Sequence, residues 1–231
     1  MVAPDVARLP TTGPGRVVVF LGPSLDVATA RGVLDADYRP PVSRGDIAAL
    51  LAEAEPPSVI GIVDGRFMHT FAISPKEILA ALDRGIAVYG ASSMGALRAV
   101  ELGPYGMVGV GRIWEAYATG ETDADDEVAL LYNEDTGEPL TDPLITMRFA
   151  VQAAVRDGAA TPALADLFVA TAKAMWYPQR RTGDVLRAIR PRCDPGEHAA
   201  LAEYLTNRAP DAKRDDALAL LRAVAERVAR R

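Results

Sequence analysis

Hydrophobic residues in this chain fall into two kinds of run. Short continuous ones, Val17–Leu21, Val59–Val63 and Ile86–Tyr89, are closed by Gly22-Pro23-Ser24, Asp64-Gly65 and Gly90-Ala91-Ser92-Ser93. Unbroken apolar runs of this length suit strands buried on both faces of a parallel sheet. Between them the spacing changes to i, i+3, i+4, which predicts helices over about Leu25–Leu34, over "IAALLAEA" with Ser43 or Asp46 as its cap, and over "SPKEILAALDRG". The last is the best marked, with Ser74 at the N-cap, Pro75 at N1, Glu77 closing a capping box at N3 and Gly85 past the end. A fourth helix is expected from Met94 to Leu102. Strands and helices alternating in this way predict an α/β fold built on a parallel, doubly wound sheet with right-handed crossovers.

After Gly103 the pattern changes. "YGMVGVGRIWEAYATG" is glycine-rich and then helical, "EVALLY" reads as a further strand, and "NEDTGEP" reads as a loop or hairpin turn. From Thr141 onward helices dominate: one starts at Thr141-Asp142-Pro143, another covers "TPALADLFVATAKAMWY", and "DAKRDDALALLRAVAERVARR" has amphipathic spacing. The expected organisation is a flexible leader over 1–15, an α/β core over 16–140 and a mostly helical C-terminal region over 141–231. That region is either a subdomain or an extension packed on the sheet.

Composition narrows the function classes. The 231 residues are 49% hydrophobic and 24% charged, with a mean hydropathy of +0.06, enough apolar material for a real core. A net charge of -6 and a pI near 5.0 argue against general affinity for nucleic acid, which draws on clustered Lys and Arg. The first residues lack the basic and apolar regions of a signal peptide, and no apolar run reaches membrane-spanning length, so a cytoplasmic protein is expected. The single Cys193 excludes an internal disulfide and a Cys-based zinc cluster, in keeping with a reducing compartment. With only His69 and His198, no metal site is expected. No cofactor is expected either, since neither a Walker A sequence nor G-x-G-x-x-G follows a predicted strand.

In an open parallel sheet, ligands bind outside the carboxyl ends of the strands. The three strand-end loops would therefore converge, bringing Gly22, Ser24, Asp64, Gly65, Ser92 and Ser93 to one edge. The helix opening at Met94 adds amide N–H groups and a positive dipole end beside the serines, suited to an oxyanion held by Met94 and Gly95. For Ser92 and Ser93 two readings stand side by side: a helix cap, or a hydroxyl presented for chemistry. Lysine is rare here, since of 25 basic residues only Lys76, Lys173 and Lys213 are not arginine. Lys76 falls in the first turn of a predicted helix, where the dipole favours the neutral amine that a general base needs. Asp64 reads either as a tight-turn residue or as a strand-end carboxylate that positions water. Arg98 pairs with Glu101 at i, i+3 or holds a substrate carboxylate. Asp123, Asp125, Asp126 and Glu127 read as a solvated acidic turn before a divalent-cation site. Tyr89, Trp114 and Met175-Trp176-Tyr177 read as core or interface.

Seven ordered segments, "VFLGPSL", "YRPPVSRGDI", "IVDGRF", "KEILAAL", "GASSMGALRAVEL", "YGMVGVGRI" and "DDEVALLY", together resemble the TfuA-like family over about Val17 to Tyr132. Pro75 departs from the pattern, standing where a histidine often precedes the Lys-Glu. The resemblance implies an accessory role beside a YcaO-type enzyme, which modifies peptide backbones with ATP to make thioamides. It further implies sulfur delivery from a thiocarboxylate on a small ubiquitin-like sulfur carrier protein, with the precursor peptide reached through YcaO. Releasing sulfide from a thiocarboxylate is acyl transfer, which calls for a nucleophile and an oxyanion site. Ser93 with Lys76 as base, and Asp64 near them, are the expected catalytic group; Gly22, Ser24, Gly65, Ser92, Met94, Gly95 and Arg98 are expected to line the substrate. The alternative is a noncatalytic adaptor that docks carrier or peptide onto YcaO.

Overall fold

The computed structural model of the chain describes residues 15–66, 71–133 and 136–230. The leader expected over 1–15, except its last residue, and His69 lie outside the described residues.

Five strands form one sheet: β1 (Val17–Phe20), β2 (Asp37–Arg39), β3 (Val59–Ile62), β4 (Ala87–Gly90) and β5 (Val108–Gly109). Their order is β2-β1-β3-β4-β5 and every pairing is parallel, with Val17 opposite Val59 and Gly61 opposite Tyr89. The sheet runs outward in opposite directions from β1 and β3, so the crevice where this kind of sheet takes its ligands lies between the carboxyl ends of those two strands. The three apolar runs are the three central strands, as their unbroken hydrophobicity predicts. β2 and β5 are short edge strands without that signature.

The helices are α1 (Val27–Arg31), α2 (Asp46–Leu51), α3 (Pro75–Asp83), α4 (Met94–Leu102), α5 (Arg112–Ala118), α6 (Leu144–Arg156), α7 (Pro162–Ala174), α8 (Thr182–Ile189), α9 (Pro195–Asn207) and α10 (Ala212–Ala229). Alternate strand residues serve opposite faces. Val18, Phe20, Ile60, Ile62 and Val88 pack on one side with Ile47 and Leu50 of α2, Ile78 and Ala81 of α3, and Ala99 and Leu102 of α4. Val17, Val19, Val59, Val63 and Tyr89 pack on the other side with Ala30 of α1 and with Ala217, Leu220, Leu221 and Val224 of α10. The sheet is therefore covered on both faces. Burial of each such Leu or Val contributes roughly 1.5–3 kcal/mol. Gly61 leaves room for this: a Cβ there would press on Leu220 and Val19, so α10 sits down on β3 where β3 has no side chain.

Some local signals held and others did not; among the exceptions, the helix expected over Leu25–Leu34 shortens to α1 behind an Asp26 cap, and the cap of α2 and the segment "EVALLY" differ. Ser74 and Glu77 form the capping box of α3, and a Glu77 oxygen also accepts from the Gly45 amide, tying α3 to α2. The N-cap of α2 is instead Gly45, in the left-handed region at φ 95°, while the Asp46 carboxylate accepts from the Ser43 amide. A further exception is "EVALLY", which forms no strand: a short 3-10 turn at Asp125–Glu127 is followed by irregular backbone. Its apolar Val128 and Ala129 are buried, but Val128 packs with Ile113 of α5 and with Ile145 and Phe149 of α6, so helices satisfy it and no strand lies alongside. Residues 144–207 build a separate apolar cluster from α6 to α9, after which α10 returns to the sheet. Among the described residues no helix is long and apolar enough to cross a membrane.

Candidate active site

The loops after β1, β3 and β4 meet around a buried carboxylate. Asp64, two residues beyond the end of β3, accepts the Gly22 amide at 2.9 Å and the Ser24 amide at 3.1 Å on Oδ2, and the Ser24 hydroxyl at 2.6 Å on Oδ1. Ser24 Oγ in turn accepts from Ser92 Oγ at 2.9 Å. Gly22, Ser24, Asp64 and Ser92 are thus brought together, but on one another: both Asp64 oxygens and both serine hydroxyls are engaged within the chain. Gly65 is small for a local reason, since a Cβ there would meet the Met94 side chain.

The turn from β4 into α4 is tight. Among the described residues Ser92 is the one non-glycine residue in the left-handed region, at φ 65°, a conformation that costs about 1–2 kcal/mol for a residue with a Cβ. Its hydrogen bond to Ser24 helps hold it there. Gly90 and Gly95 make the turn possible, because a Cβ on Gly95 would run into the Ile62 carbonyl and one on Gly90 into the Gly95 carbonyl. Neither serine caps α4. Ser93 occupies the N-cap position yet its side chain makes no capping bond. The Ser93 and Gly95 amides both reach the Val63 carbonyl at 3.3 Å. Of the two amides expected to hold an oxyanion, Gly95 is therefore occupied, while Met94, the first amide of α4, has no acceptor among the described residues.

The hydroxyl of Ser93 faces a lysine, and it is not Lys76. Lys76 is exposed on α3, where its backbone amide supports the Ser74 cap. The lysine at the site is Lys213, in the first turn of α10, whose Nζ lies 3.3 Å from Ser93 Oγ and 3.2 Å from the Val128 carbonyl oxygen. It is 4% exposed. Burial pushes its ammonium below the ordinary lysine range, with Asp64 and then Asp211 pulling the other way. A helix N-terminus adds to the penalty on positive charge. When the amine is neutral, the same contact has Ser93 O–H donating to Nζ, which is the arrangement of a nucleophile and its base.

A cleft of about 540 Å³ is lined by Met94, Arg98, Glu101, Tyr117, Gly120 and Asp123, with Met94 the residue that follows Ser93 in the chain. Arg98 forms the i, i+3 pair: its Nη1 contacts both Glu101 oxygens at 2.8 Å and its Nε donates to the Ile73 carbonyl. The acidic segment is only partly solvated. Glu127 is buried in a two-pronged pair with Arg148 at 2.6 and 2.7 Å, and Asp126 pairs with the buried Arg180 at 3.0 Å. Among the described residues no three His, Cys, Asp or Glu side chains are placed to hold a metal ion. His198 contacts the Leu186 carbonyl oxygen through Nε2, and Cys193 sits partly buried in the helical region. Tyr89 lies in the core, while Trp176 is exposed against the edge of Tyr177.

The molecule is an open parallel α/β sheet protein with a buried serine–lysine contact at the carboxyl ends of its central strands. The chain belongs to the TfuA-like protein family, whose pattern it matches over residues 64–181. That membership associates it with YcaO enzymes and with thioamide formation. The matched span begins at Asp64 and holds Ser92, Ser93 and the acidic segment, and it stops before Lys213. No curated protein matches the chain.

Proposed function

We propose that this protein releases sulfide from a thiocarboxylated ubiquitin-like carrier for a YcaO enzyme, using Ser93 as nucleophile and Lys213 as base. The observation that carries this reading is the hydrogen bond between a serine hydroxyl free of capping duty and a buried lysine. Ser93 Oγ forms a bond to the thiocarboxylate carbon as its proton passes to the neutral Lys213 amine. The oxyanion that results has the Met94 amide beside it. On collapse the carbon–sulfur bond breaks, Lys213 returns the proton to sulfur, and hydrosulfide leaves. Water, deprotonated by Lys213, then cleaves the acyl ester to a carboxylate and restores Ser93. Arginine in place of Lys213 would stay protonated and could accept nothing. The cleft from Met94 past Gly120 offers a path for an extended carrier tail.

The test is sulfide release by the purified protein, without YcaO, from a carrier bearing a C-terminal thiocarboxylate. Release at a rate above the uncatalysed reaction, and absent with an ordinary carboxylate carrier, is expected. A folded protein that releases none, yet stimulates YcaO when supplied with inorganic sulfide, overturns the hydrolytic reading in favour of an adaptor.

A further inference from the structure

We propose that Asp64 is the fixed counter-charge of the Ser93–Lys213 pair, a positioning residue that favours the ammonium formed when Ser93 gives up its proton. The inference rests on the serine–lysine reading above and extends it to a group that touches neither reacting atom. Three observations converge. First, Asp64 is buried and receives three hydrogen bonds, from the Gly22 and Ser24 amides and the Ser24 hydroxyl, the pattern of an acceptor-only, ionised carboxylate. No cation contacts it directly among the described residues, and through Ser24 it is bonded to Ser92, the neighbour of the serine that Lys213 contacts. Second, the Val63 carbonyl, on the residue before Asp64, is bonded by the amides of Ser93 and Gly95, which fixes the carboxylate relative to the serine turn. Third, among the described residues Lys213 has no carboxylate in contact: its polar partners are Ser93 Oγ and the Val128 carbonyl.

Among the described residues, the other carboxylates on the elements around Lys213 are exposed to solvent, neutralised by an arginine, or, for Asp216, pushed by burial toward the neutral form. Asp211, just ahead in α10, is exposed and caps the Arg214 amide. Asp216, one turn on, gives both oxygens to the Arg112 and Ile113 amides. Glu127, beside Val128, is closed on Arg148, and Asp126 on Arg180. Asp64 is left to offset the burial of Lys213. A base works best when its proton affinity matches the working pH. Burial alone would leave a lysine too weak a base, and a carboxylate in direct contact would hold it as an ammonium. A carboxylate out of contact with the amine, held by Ser24 and through it by Ser92, sets it between the two.

The chain has three lysines, and Lys76 and Lys173 are exposed, so lysine labelled with ¹³C at Cε gives a separable signal for Lys213. Its titration needs no substrate and so stands or falls apart from sulfide release. Asn can replace Asp64 with its oxygen toward the two amides and its NH₂ toward Ser24 Oγ. In Asp64→Asn the Lys213 midpoint is expected to fall by about one pH unit or more, and the basic limb of any sulfide-release profile to move with it, at unchanged KM for carrier. Ser24→Ala, which keeps the charge and loses one hydrogen bond, should leave the midpoint near wild type. An unmoved midpoint in Asp64→Asn, or an equal fall in Ser24→Ala, overturns the proposal. Should Asp64→Asn alone fail to fold, adding Lys213→Met decides: recovery of folding supports an uncompensated ammonium as the fault, and continued misfolding counts against it.

Discussion

Lys213 and Ser93 are hydrogen-bonded at 3.3 Å although 120 positions separate them in the chain. The pair joins the N-terminal end of the last helix to the turn after the fourth strand, and it replaces the lysine that the local pattern around Ser74 brings forward.

If these two residues act as a unit, Ser93→Ala and Lys213→Met should each lower sulfide release by roughly 10²–10⁴-fold, and the double variant should be little worse than either. Lys213→Arg should not restore it, because guanidinium cannot accept a proton. Lys76→Ala should leave the rate unchanged. Steady-state sulfide assays on variants shown to be folded by circular dichroism check all four, and near-normal release by Ser93→Ala would remove the nucleophile.

Asp216 should make stability depend on pH in the sense opposite to a salt-bridged carboxylate. Burial lifts its carboxyl to about 6, against the pull of the Ile113 and Arg112 amides. The unfolded value is about 4, so between pH ~4 and ~6 the folded chain binds a proton that the unfolded chain releases. Stability from this group is fully present below about 4 and is lost as pH rises through about 6, by up to about 3 kcal/mol. Urea unfolding at pH 4.5 and 7 should show this decline in the wild type relative to Asp216→Asn, in which the group no longer titrates; parallel curves for the two proteins would refute it.

The buried Glu127–Arg148 pair should be asymmetric under mutation. Glu127 is 1% exposed, so Arg148→Ala strands a carboxylate in the interior and should cost about 3–5 kcal/mol. Glu127→Gln with Arg148→Met, which removes both charges, should recover most of that loss. Denaturant midpoints of the three variants measure it, and a double variant no more stable than Arg148→Ala would show that the hydrogen-bond geometry, rather than the stranded charge, is what matters.

The central strands were legible because Val17–Phe20, Val59–Ile62 and Ala87–Gly90 lie between two layers of helices and so contain almost nothing but apolar residues. β2 is three residues with Tyr38 between charged neighbours, and β5 is two residues in a glycine-rich stretch, so neither leaves a periodic trace. Gly22, Ser24, Asp64, Ser92 and Ser93 could be gathered from sequence because topology alone sends the ends of parallel strands to one edge. Lys213 could not, since nothing local links α10 to β4. A signal was nonetheless present in its helix. Lys213 and Asp216 stand at i and i+3 of the stripe that continues through Ala217, Leu220, Leu221 and Val224, the face that α10 buries. A lysine and an aspartate on an apolar stripe are misplaced unless each has a partner, and Lys76, outside the buried Ile78–Ala81 face of α3, lacks that mark.

Under the serine–lysine mechanism proposed above, the seat that Gly61 provides for α10 also bears on when the chain becomes chemically competent. Strand pairing among β1, β3 and β4 involves only residues up to Gly90, and Ser93 follows at once, whereas Lys213 arrives with the final helix. Under the proposed mechanism, a chain whose α10 is not yet in place carries its serine without its base. In the folded protein, lifting the first turn of α10 away from Ser93 would withdraw the amine and leave every strand-to-strand hydrogen bond intact, so under the proposed mechanism reactivity can be lost well below the free energy of global unfolding.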